Sequence, residues 1–154
     1  MLTRVILDDL NARYAYALDS GKLDLWPEFF TDDCVYKIIS NENFGLGYPV
    51  AAIYCDGIGM VRDRVVAIMQ TAVYEPRTYR HFVGTAHITG QEEGGVTSEA
   101  NFALYESIAE REPRILFVGR YVDRVVMADG APRLRQRLVV YDNYRVFNSL
   151  IFPI

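Results

Sequence analysis

The sequence has no long apolar run and no cysteine framework. No segment approaches the roughly 20 apolar residues that span a bilayer, and the first residues, MLTRV, carry no hydrophobic signal core. Its two cysteines, Cys34 and Cys55, stand apart among apolar, strand-like residues, which favours reduced, buried thiols. We therefore expect a soluble, cytoplasmic protein that neither crosses a membrane nor is exported.

Basic charge is scarce as well. Sixteen Lys and Arg side chains stand against twenty Asp and Glu, a net charge of −4, whereas a chain that binds nucleic acid has to neutralise many phosphates. We expect no nucleic-acid partner. The 154 residues are 51% hydrophobic and 13% aromatic and contain no repeat, linker or low-complexity tract. Because a chain of this length builds one hydrophobic core, we expect a single domain over residues 1–154.

The usual motifs of catalytic and metal sites are missing too. Gly57 and Gly59 begin a dinucleotide fingerprint, but Arg62 stands where its third glycine belongs. There is no Gly-x-Ser-x-Gly elbow. His81 and His87 are predicted on one strand, roughly 20 Å apart at about 3.3 Å per residue, so they cannot bind the same ion. We expect this chain to hold neither a metal ion nor an iron–sulfur cluster by itself.

The first half of the chain predicts three helices. A first helix ends at Ser20 and Gly21, and a short second helix carries Trp26, which we expect in the core. A third fits residues 56–71, with Asp56 as its N-cap and Pro76 beyond its end. The apolar stripes of the first and third helices are Leu7, Leu10, Tyr14 and Leu18, and Ile58, Val61, Val65 and Ile68 or Met69. Residues 33–39 are strand-like, and residues 41–49 predict a loop or an irregular hairpin.

The second half predicts four long strands that form a curved antiparallel meander. They cover residues 79–89, 96–108, 115–127 and 134–152. Helices first and a long bent sheet afterwards indicate an α+β architecture, with about three helices packed on the concave face of the sheet. Along the last two strands charged and apolar residues alternate. This alternation predicts one face with Arg120, Arg124, Arg133, Arg135 and Arg137, and an opposite face with Leu134 and Leu138.

A less specific set of residues could perform acid–base chemistry. Asp32, Asp33, Tyr36 and His81 could ring the mouth of a cone closed by the helices, and a half-buried histidine–carboxylate pair can be poised near neutral pH. The alternative is structural: residues 31–33 cap the second helix, while His81 satisfies buried backbone or a neighbouring arginine. The residues alone leave both interpretations open.

Several segments resemble, in chain order, one protein family. They are residues 25–36 (LWPEFFTDDCVY), 60–65 (MVRDRV), 75–84 (EPRTYRHFVG), 119–123 (GRYVD), 129–137 (DGAPRLRQR) and 148–154 (NSLIFPI). In this order they resemble the small (β) subunits of aromatic-ring-hydroxylating oxygenases. The branch they resemble acts on benzoate-type acids such as salicylate, anthranilate or terephthalate. Members have the cone of the nuclear-transport-factor-2-like (NTF2-like, or cystatin-like) fold.

The resemblance implies a structural, non-catalytic subunit. In the family the chemistry resides on a large (α) subunit, which holds a Rieske [2Fe–2S] cluster and a mononuclear Fe(II). Electrons reach it from NAD(P)H through a reductase. The small subunits form a trimer beneath three large subunits in an α3β3 assembly. It follows that this chain has no cofactor and no catalytic residue of its own.

A second hypothesis is a free-standing enzyme of the same fold. A SnoaL-like or NTF2-like dehydratase or isomerase would use His81 with Asp33 and Tyr36 inside the cone. A neighbouring gene that encodes a Rieske motif and a two-histidine, one-carboxylate iron site would favour the subunit over this enzyme.

The face of the sheet without helices is the predicted interface. Arginine and tyrosine are enriched at protein interfaces, whereas lysine, the usual solvating cation, occurs here only at Lys22 and Lys37. We expect this face to contact copies of the chain and the large subunit. The candidate interface residues are Arg120, Tyr121, Arg135, Arg137 and Tyr141.

Overall fold

One mixed sheet organises the molecule. The computed structural model describes residues 1–71, 77–143 and 152–154. Its strands are β1 (Phe30–Ser40), β2 (Ile53–Asp56), β3 (Arg77–Val83), β4 (His87–Glu92), β5 (Gly95–Ile108), β6 (Arg114–Ala128) and β7 (Ala131–Tyr141). They lie in the order β2-β1-β7-β6-β5-β3, and β4 pairs with β5 as well. The β1–β7 pair is parallel and the other pairs are antiparallel, so the sheet is not purely antiparallel as the sequence predicted.

The helices bury one face of this sheet, called here the inner face. They are α1 (Arg4–Asp19), a 3₁₀ helix (Leu23–Phe29), α2 (Asn41–Leu46) and α3 (Ile58–Thr71). Side chains of α1, the 3₁₀ helix and α3 join those of the strands in one apolar core. The predicted α+β architecture with helices on one face of a long sheet is confirmed. None of the helices in the described part of the chain is long and apolar enough to cross a membrane.

The helix α1 follows its sequence signals. The side chain of Thr3 accepts a hydrogen bond from the backbone N–H of Ile6, which caps the first turn. The helix ends before Ser20, and Gly21 takes a positive φ of 70° that lets the chain leave. The predicted stripe is buried: Leu7, Leu10, Tyr14 and Leu18.

The next two helices differ from expectation only at their ends. Trp26 lies in the 3₁₀ helix and is fully buried, as predicted. In α3 the buried stripe includes Ile68, whereas Met69 is 67% exposed. Asp56 is not the N-cap of α3, because it is the last residue of β2 and the positive φ of Gly57 turns the chain between the two elements.

Residues 41–46, predicted as loop, form the short helix α2. The Ser40 side chain accepts a hydrogen bond from the backbone N–H of Asn43 at 3.1 Å, and Gly47 closes the helix with a φ of 70°. A serine N-cap and a left-handed glycine are ordinary start and stop signals. They decide the local structure although the glycines and asparagines between them favour a turn.

The strand predicted over residues 79–89 is two strands. Residues 84–86 separate β3 from β4, and both strands pair with β5. The prediction that His81 and His87 share a strand is therefore wrong. The strand predicted over residues 134–152 ends at Tyr141, and its remainder, like Pro76, lies mostly outside the described residues.

A β-bulge reverses the predicted faces of β7. Leu134 pairs with Val125, but Gln136 pairs with Arg124, so Arg135 is an extra residue in the ladder. The extra residue places both Leu134 and Arg137 on the inner face, where each is fully buried. The prediction that Arg137 shares an outward face with Arg135 is wrong for this reason.

Candidate functional site

The interior of the cone contains a buried ion pair. The Arg137 guanidinium donates two hydrogen bonds to the Asp123 carboxylate, from Nε at 3.0 Å and from Nη2 at 2.7 Å. Its Nη2 also donates to the side-chain oxygen of Asn11 on α1. Arg137 lies between two rings, with Cζ 4.2 Å from the centroid of Tyr14 and 3.9 Å from that of Tyr121. Pairing, stacking and hydrogen bonds stabilise this buried charge, although Nη1 has no hydrogen-bond partner among the described residues.

The backbone of Ile154 occupies the space beside this pair. Tyr14 donates a hydrogen bond from its hydroxyl to the Ile154 oxygen at 2.9 Å, and Tyr36 donates to the same oxygen at 3.1 Å. The Ile154 N–H donates to the Tyr36 hydroxyl at 2.8 Å. Trp26 Nε1 donates to the Tyr14 hydroxyl at 3.1 Å. The hydroxyls of Tyr14 and Tyr36 and the indole N–H of Trp26 are thus bonded within the protein's own chain, whereas the buried Tyr121 hydroxyl and Arg137 Nη1 have no hydrogen-bond partner among the described residues.

Aromatic rings fill the rest of this space. Trp26 meets Tyr36 edge to face at 5.0 Å between centroids and Phe30 at 5.4 Å. Tyr121 stacks on Phe102 at 4.7 Å. Tyr36 and Tyr121 are both fully buried. Neither an incoming substrate nor bulk water reaches Tyr36, the phenol that the enzyme hypothesis would use.

Burial also makes the protein sensitive to alkali. Burial raises the pKa of the phenols of Tyr36 and Tyr121 well above the ordinary 10.0, and it raises the pKa of the Cys34 thiol from 9.0 to about 11. Because the Cys34 thiol holds its proton more tightly in the folded protein, its contribution to stability is complete below pH 9 and is lost as the pH rises through about 11. The contributions of the two phenols are complete below pH 10 and are lost at higher pH, as the pH passes their raised pKa.

We expect the urea concentration at half-unfolding to be flat up to a pH of about 9 and to fall steeply above it. The variant Cys34→Ala should flatten the first part of that fall, since Cys34 is one of two buried thiols with a raised pKa, and a thiol has a lower ordinary pKa, 9.0, than a phenol, 10.0. A half-unfolding concentration that stays constant to a pH of about 11 would contradict the assignment.

His81 pairs with Asp19, a residue the sequence did not indicate. The Asp19 carboxylate lies 2.6 Å from His81 Nδ1 and accepts the His81 backbone N–H at 2.9 Å. The two side chains are only 2% and 8% exposed. His81 Nε2 is buried and has no hydrogen-bond partner among the described residues. This pair connects the end of α1 with the edge strand β3.

Asp33 lies elsewhere and has other partners. Its carboxylate accepts a hydrogen bond from the Thr31 hydroxyl at 2.7 Å and lies 3.4 Å from Arg135 Nε. The hydrogen bond from Thr31 is the main reason that the pKa of this carboxyl is lowered. The Asp33 side chain is 67% exposed. The expectation that Asp33 is the charge partner of His81 is wrong, because Asp19 holds that position.

The interface candidates separate into exposed and internal residues. Arg120 and Arg135 keep side-chain exposures of 29% and 47%. Tyr121 and Arg137 are fully buried within the chain, so the prediction that they lie on the open face is wrong. Tyr141 is half-buried and packs edge to face on Phe117 at 5.5 Å.

The outer face of the sheet, opposite the helices, carries an apolar patch instead. Phe82 is 59% exposed, Ile115 49% and Val118 41%, and Phe82 contacts Tyr105 edge to face at 5.4 Å. Arg80 lies beside them on β3. We call these residues, Arg80, Phe82, Tyr105, Ile115 and Val118, the outer patch. Phe82, Ile115 and Val118 were not among the predicted interface residues, because exposed apolar residues in a strand look the same as core residues in the sequence.

The described ranges contain no cluster of three or more His, Cys, Asp and Glu side chains that could hold a metal ion. His81 and His87 lie on different strands, and His87 is exposed. Cys34 and Cys55 are buried free thiols. The residues that can be placed therefore do not fit an iron–sulfur cluster or a mononuclear iron.

Comparison with known proteins gives the family. The model of the SnoaL-like domain matches residues 2–137. The small subunit of anthranilate 1,2-dioxygenase from Burkholderia cepacia is 37% identical over 145 residues, 94% of this chain and 90% of that protein. The subunit beta 1 of the terminal oxygenase component of terephthalate 1,2-dioxygenase from a Comamonas species is 29% identical over 154 residues and the full length of both chains.

A solved structure points to the same family as these relatives. The crystal structure of a protein assigned as the beta subunit of an aromatic-ring-hydroxylating dioxygenase from Novosphingobium aromaticivorans has a TM-score of 0.87 and 39% identity, over 96% of this chain and 94% of that one. The cone with helices on one face of a curved sheet is the SnoaL-like, or NTF2-like, fold. The chain belongs to the SnoaL-like domain family and, within it, to the small subunits of aromatic-ring-hydroxylating dioxygenases. The resemblance inferred from the sequence is confirmed.

Proposed function

We propose that this chain is the non-catalytic, structural small subunit of an oxygenase that adds oxygen to an aromatic carboxylic acid. One observation carries the proposal: the interior of the cone is filled by Ile154 and by a packed aromatic cluster. A free-standing dehydratase or isomerase would need that space for its substrate. Its presumed acid–base pair is also not assembled, since His81 binds Asp19 and Asp33 is exposed. We propose that residues 1–154 act as one domain.

The oxidative chemistry then belongs to a large subunit. By analogy with the family, that subunit holds a Rieske [2Fe–2S] cluster and a mononuclear Fe(II) and takes electrons from NAD(P)H through a reductase. The lack of a metal-binding cluster among the described residues supports this division. We place the complex in the cytoplasm, since buried free thiols such as Cys34 and Cys55 suit a reducing compartment.

Assembly would use the outer face of the sheet. We propose that the outer patch and the exposed arginines Arg120 and Arg135 contact the large subunit and other copies of this chain, as a trimer within an α3β3 complex. A cluster of exposed aromatic and aliphatic side chains next to arginine has the composition of an interface centre. Tyr141 and the buried Tyr121 and Arg137 would support that surface from within.

The decisive experiment is co-expression with a candidate large subunit, a Rieske oxygenase chain from the same genome. We expect a stable complex in which iron, acid-labile sulfide and the red-brown colour belong to the large subunit, while the isolated small subunit is colourless. Turnover of an aromatic acid should require the large subunit. Stoichiometric iron in the isolated chain, or dehydratase or isomerase activity of that chain alone, would overturn the proposal.

Variants in the outer patch test whether this surface is part of the subunit interface. The variant Phe82→Glu places a charge on the most exposed apolar side chain of the patch. We expect it to weaken assembly by at least about tenfold in sedimentation measurements, since burying an unpaired charge at an interface is costly. The matched control is Met69→Glu on α3, an apolar residue that is 67% exposed and lies off this patch. Equal assembly of the two variants would remove the outer patch from the interface.

His81 distinguishes a structural from a catalytic role. The variant His81→Ala removes the ring from the buried Asp19 carboxylate and leaves it only the backbone N–H of residue 81. We expect a loss of about 2–3 kcal/mol in stability. The assembled variant should keep most of its turnover. His87→Ala is the matched control, because His87 is exposed and should tolerate the change. A His81→Ala complex that is fully assembled and stable but inactive would favour a catalytic role.

A further inference from the structure

A groove lies between the 3₁₀ helix and α3, and the first residues of β1 and the turn between β6 and β7 complete its lining. Its volume is about 730 Å³. The apolar part of the lining includes Pro27, Ile58, Val65 and Val66, and Val66 is 49% exposed. We call this surface the helix groove. Exposed apolar surface with a polar rim is typical of a site that binds another molecule.

The rim of the helix groove is acidic. Four carboxylates belong to its lining: Asp24, Glu28, Asp32 and Asp129. All four residues are exposed, and none of them forms an ion pair with another described residue. Two arginines, Arg62 and Arg133, line the groove as well, and Arg133 donates a hydrogen bond to the backbone oxygen of Glu28. Because acidic side chains outnumber basic ones here, the helix groove favours a partner with apolar and cationic side chains.

The outer patch of the same chain has this chemistry. Its Phe82 is 59% exposed and contacts Tyr105 edge to face. Among the described residues that line the surface around these two rings, Arg80 alone is charged. Arg80 is exposed and forms no ion pair with another described residue. The outer patch and the helix groove are therefore complementary, since both are apolar and their unpaired charges are opposite.

The two surfaces lie toward opposite ends of β6. Val118 belongs to the outer patch and Ala128 lines the helix groove. Residues 118–128 of this strand span roughly 33 Å at about 3.3 Å per residue. One chain can therefore use both surfaces at the same time, each against a different neighbour. A contact between two different surfaces of identical chains is heterologous, and it closes into a ring when the rotation between copies permits.

We propose that the outer patch of one copy docks into the helix groove of the next copy, and that three such contacts close a trimer. Phe82 packs against the apolar lining of the groove, and Arg80 pairs with the carboxylates of its rim. Arginine suits this position because its guanidinium binds carboxylates through two hydrogen bonds. The inference rests on the proposed function, since it states how the proposed trimer is held together.

The test uses two full-length variants, each with one surface blocked. Phe82→Glu blocks the outer patch, and Val66→Glu places a charge among the apolar residues of the helix groove. At a concentration where the unmodified chain sediments as a trimer, each variant by itself should be a monomer, with association weakened by at least about tenfold. A mixture should form dimers with one copy of each variant. The intact groove of Phe82→Glu can still accept the intact patch of Val66→Glu, and no third chain can join.

Val5→Glu is the matched control. It makes the same substitution at a helical valine that is 71% exposed and lies on α1, away from both surfaces. This variant should sediment like the unmodified chain. If Val66→Glu does not fold, the double variant Asp24→Lys/Glu28→Lys reverses two exposed charges of the rim and should block the groove in the same way.

Three results would overturn the proposal: an unmodified chain that stays monomeric, a mixture of the two variants that stays monomeric, or a Val66→Glu chain that still forms trimers. If this last chain no longer bound the large subunit, the helix groove would belong to that partner instead. These measurements need neither the large subunit nor iron, so the contact between copies can fail while the proposed function stands. The iron content and the turnover of the co-expressed complex test that function separately.

Discussion

Replacing Arg137 with methionine should cost about 3–5 kcal/mol of unfolding free energy, a large share of the stability of a domain of this size. The change leaves the Asp123 carboxylate fully buried without the guanidinium that binds it through two hydrogen bonds. It also removes the cation between the rings of Tyr14 and Tyr121. Urea unfolding followed by circular dichroism would measure the loss.

Two controls separate the ion pair from the volume of the side chain. Arg135→Met changes the same residue type two positions earlier, where the side chain is 47% exposed, and should alter stability by no more than about 0.5 kcal/mol. The double variant Arg137→Met/Asp123→Leu should recover at least about half of the loss, because no unpaired charge remains. If the double variant is as unstable as Arg137→Met, the buried charge is not the cause.

Gly119→Ala should cost about 3 kcal/mol, the upper end of the usual range for overpacking. A Cβ atom at Gly119 would lie 2.8 Å from the Cα of Tyr141 and closer still to the backbone oxygen of Val140. Both atoms are backbone atoms of β7, the strand that pairs with Gly119, so no side chain can turn away. The β6–β7 ladder has to shift along with the Arg137 pair that it carries.

The glycine control is Gly59→Ala in α3. Nothing lies within 4 Å of a Cβ atom there, and alanine favours a helix over glycine by about 0.5–1 kcal/mol. We therefore expect opposite signs for the two substitutions in the same unfolding measurement. Unfolding of Gly119→Ala at the urea concentration of the unmodified protein would contradict the close approach of β6 and β7.

The filled cone distinguishes this chain from one whose cone could hold a substrate. Walls of aromatic residues with a few polar groups make a usable pocket whenever the space between them is open. Here the hydroxyls of Tyr14 and Tyr36 donate their hydrogen bonds to Ile154, and Arg137 binds Asp123. Function on this fold thus depends on what occupies the interior more than on the cone itself.

Local patterns in the sequence were enough for much of the fold. The spacing of Leu7, Leu10, Tyr14 and Leu18 predicted α1 and its buried side, because a helix repeats every 3.6 residues and the core selects one face. The dense apolar patch around Trp26 predicted a core anchor. The ordered motifs from residue 25 onward indicated the family, and the comparisons confirm it.

Those local patterns could not predict the site, because the residues that contact one another there are distant in sequence. Asp19 meets His81 across 62 positions, and Tyr36 meets Ile154 across 118. No spacing rule connects residues so far apart, and aspartate is common at exposed helix ends. Sequence analysis consequently paired His81 with Asp33 and did not predict the contacts of Ile154 inside the cone.

The sequence by itself determined the class of fold, the helices α1 and α3 with their buried faces, and the family. The tertiary structure decided which polar residues are internal. Counting back from the turn at 129–130 places Val122 opposite Arg137, and only the bulge at Arg135 brings Asp123 there instead. One extra residue in a strand exchanges its two faces, since side chains alternate with a period of two. A local pattern cannot show that insertion, because it is stabilised by contacts with α1 and the neighbouring strands that exist only in the folded protein.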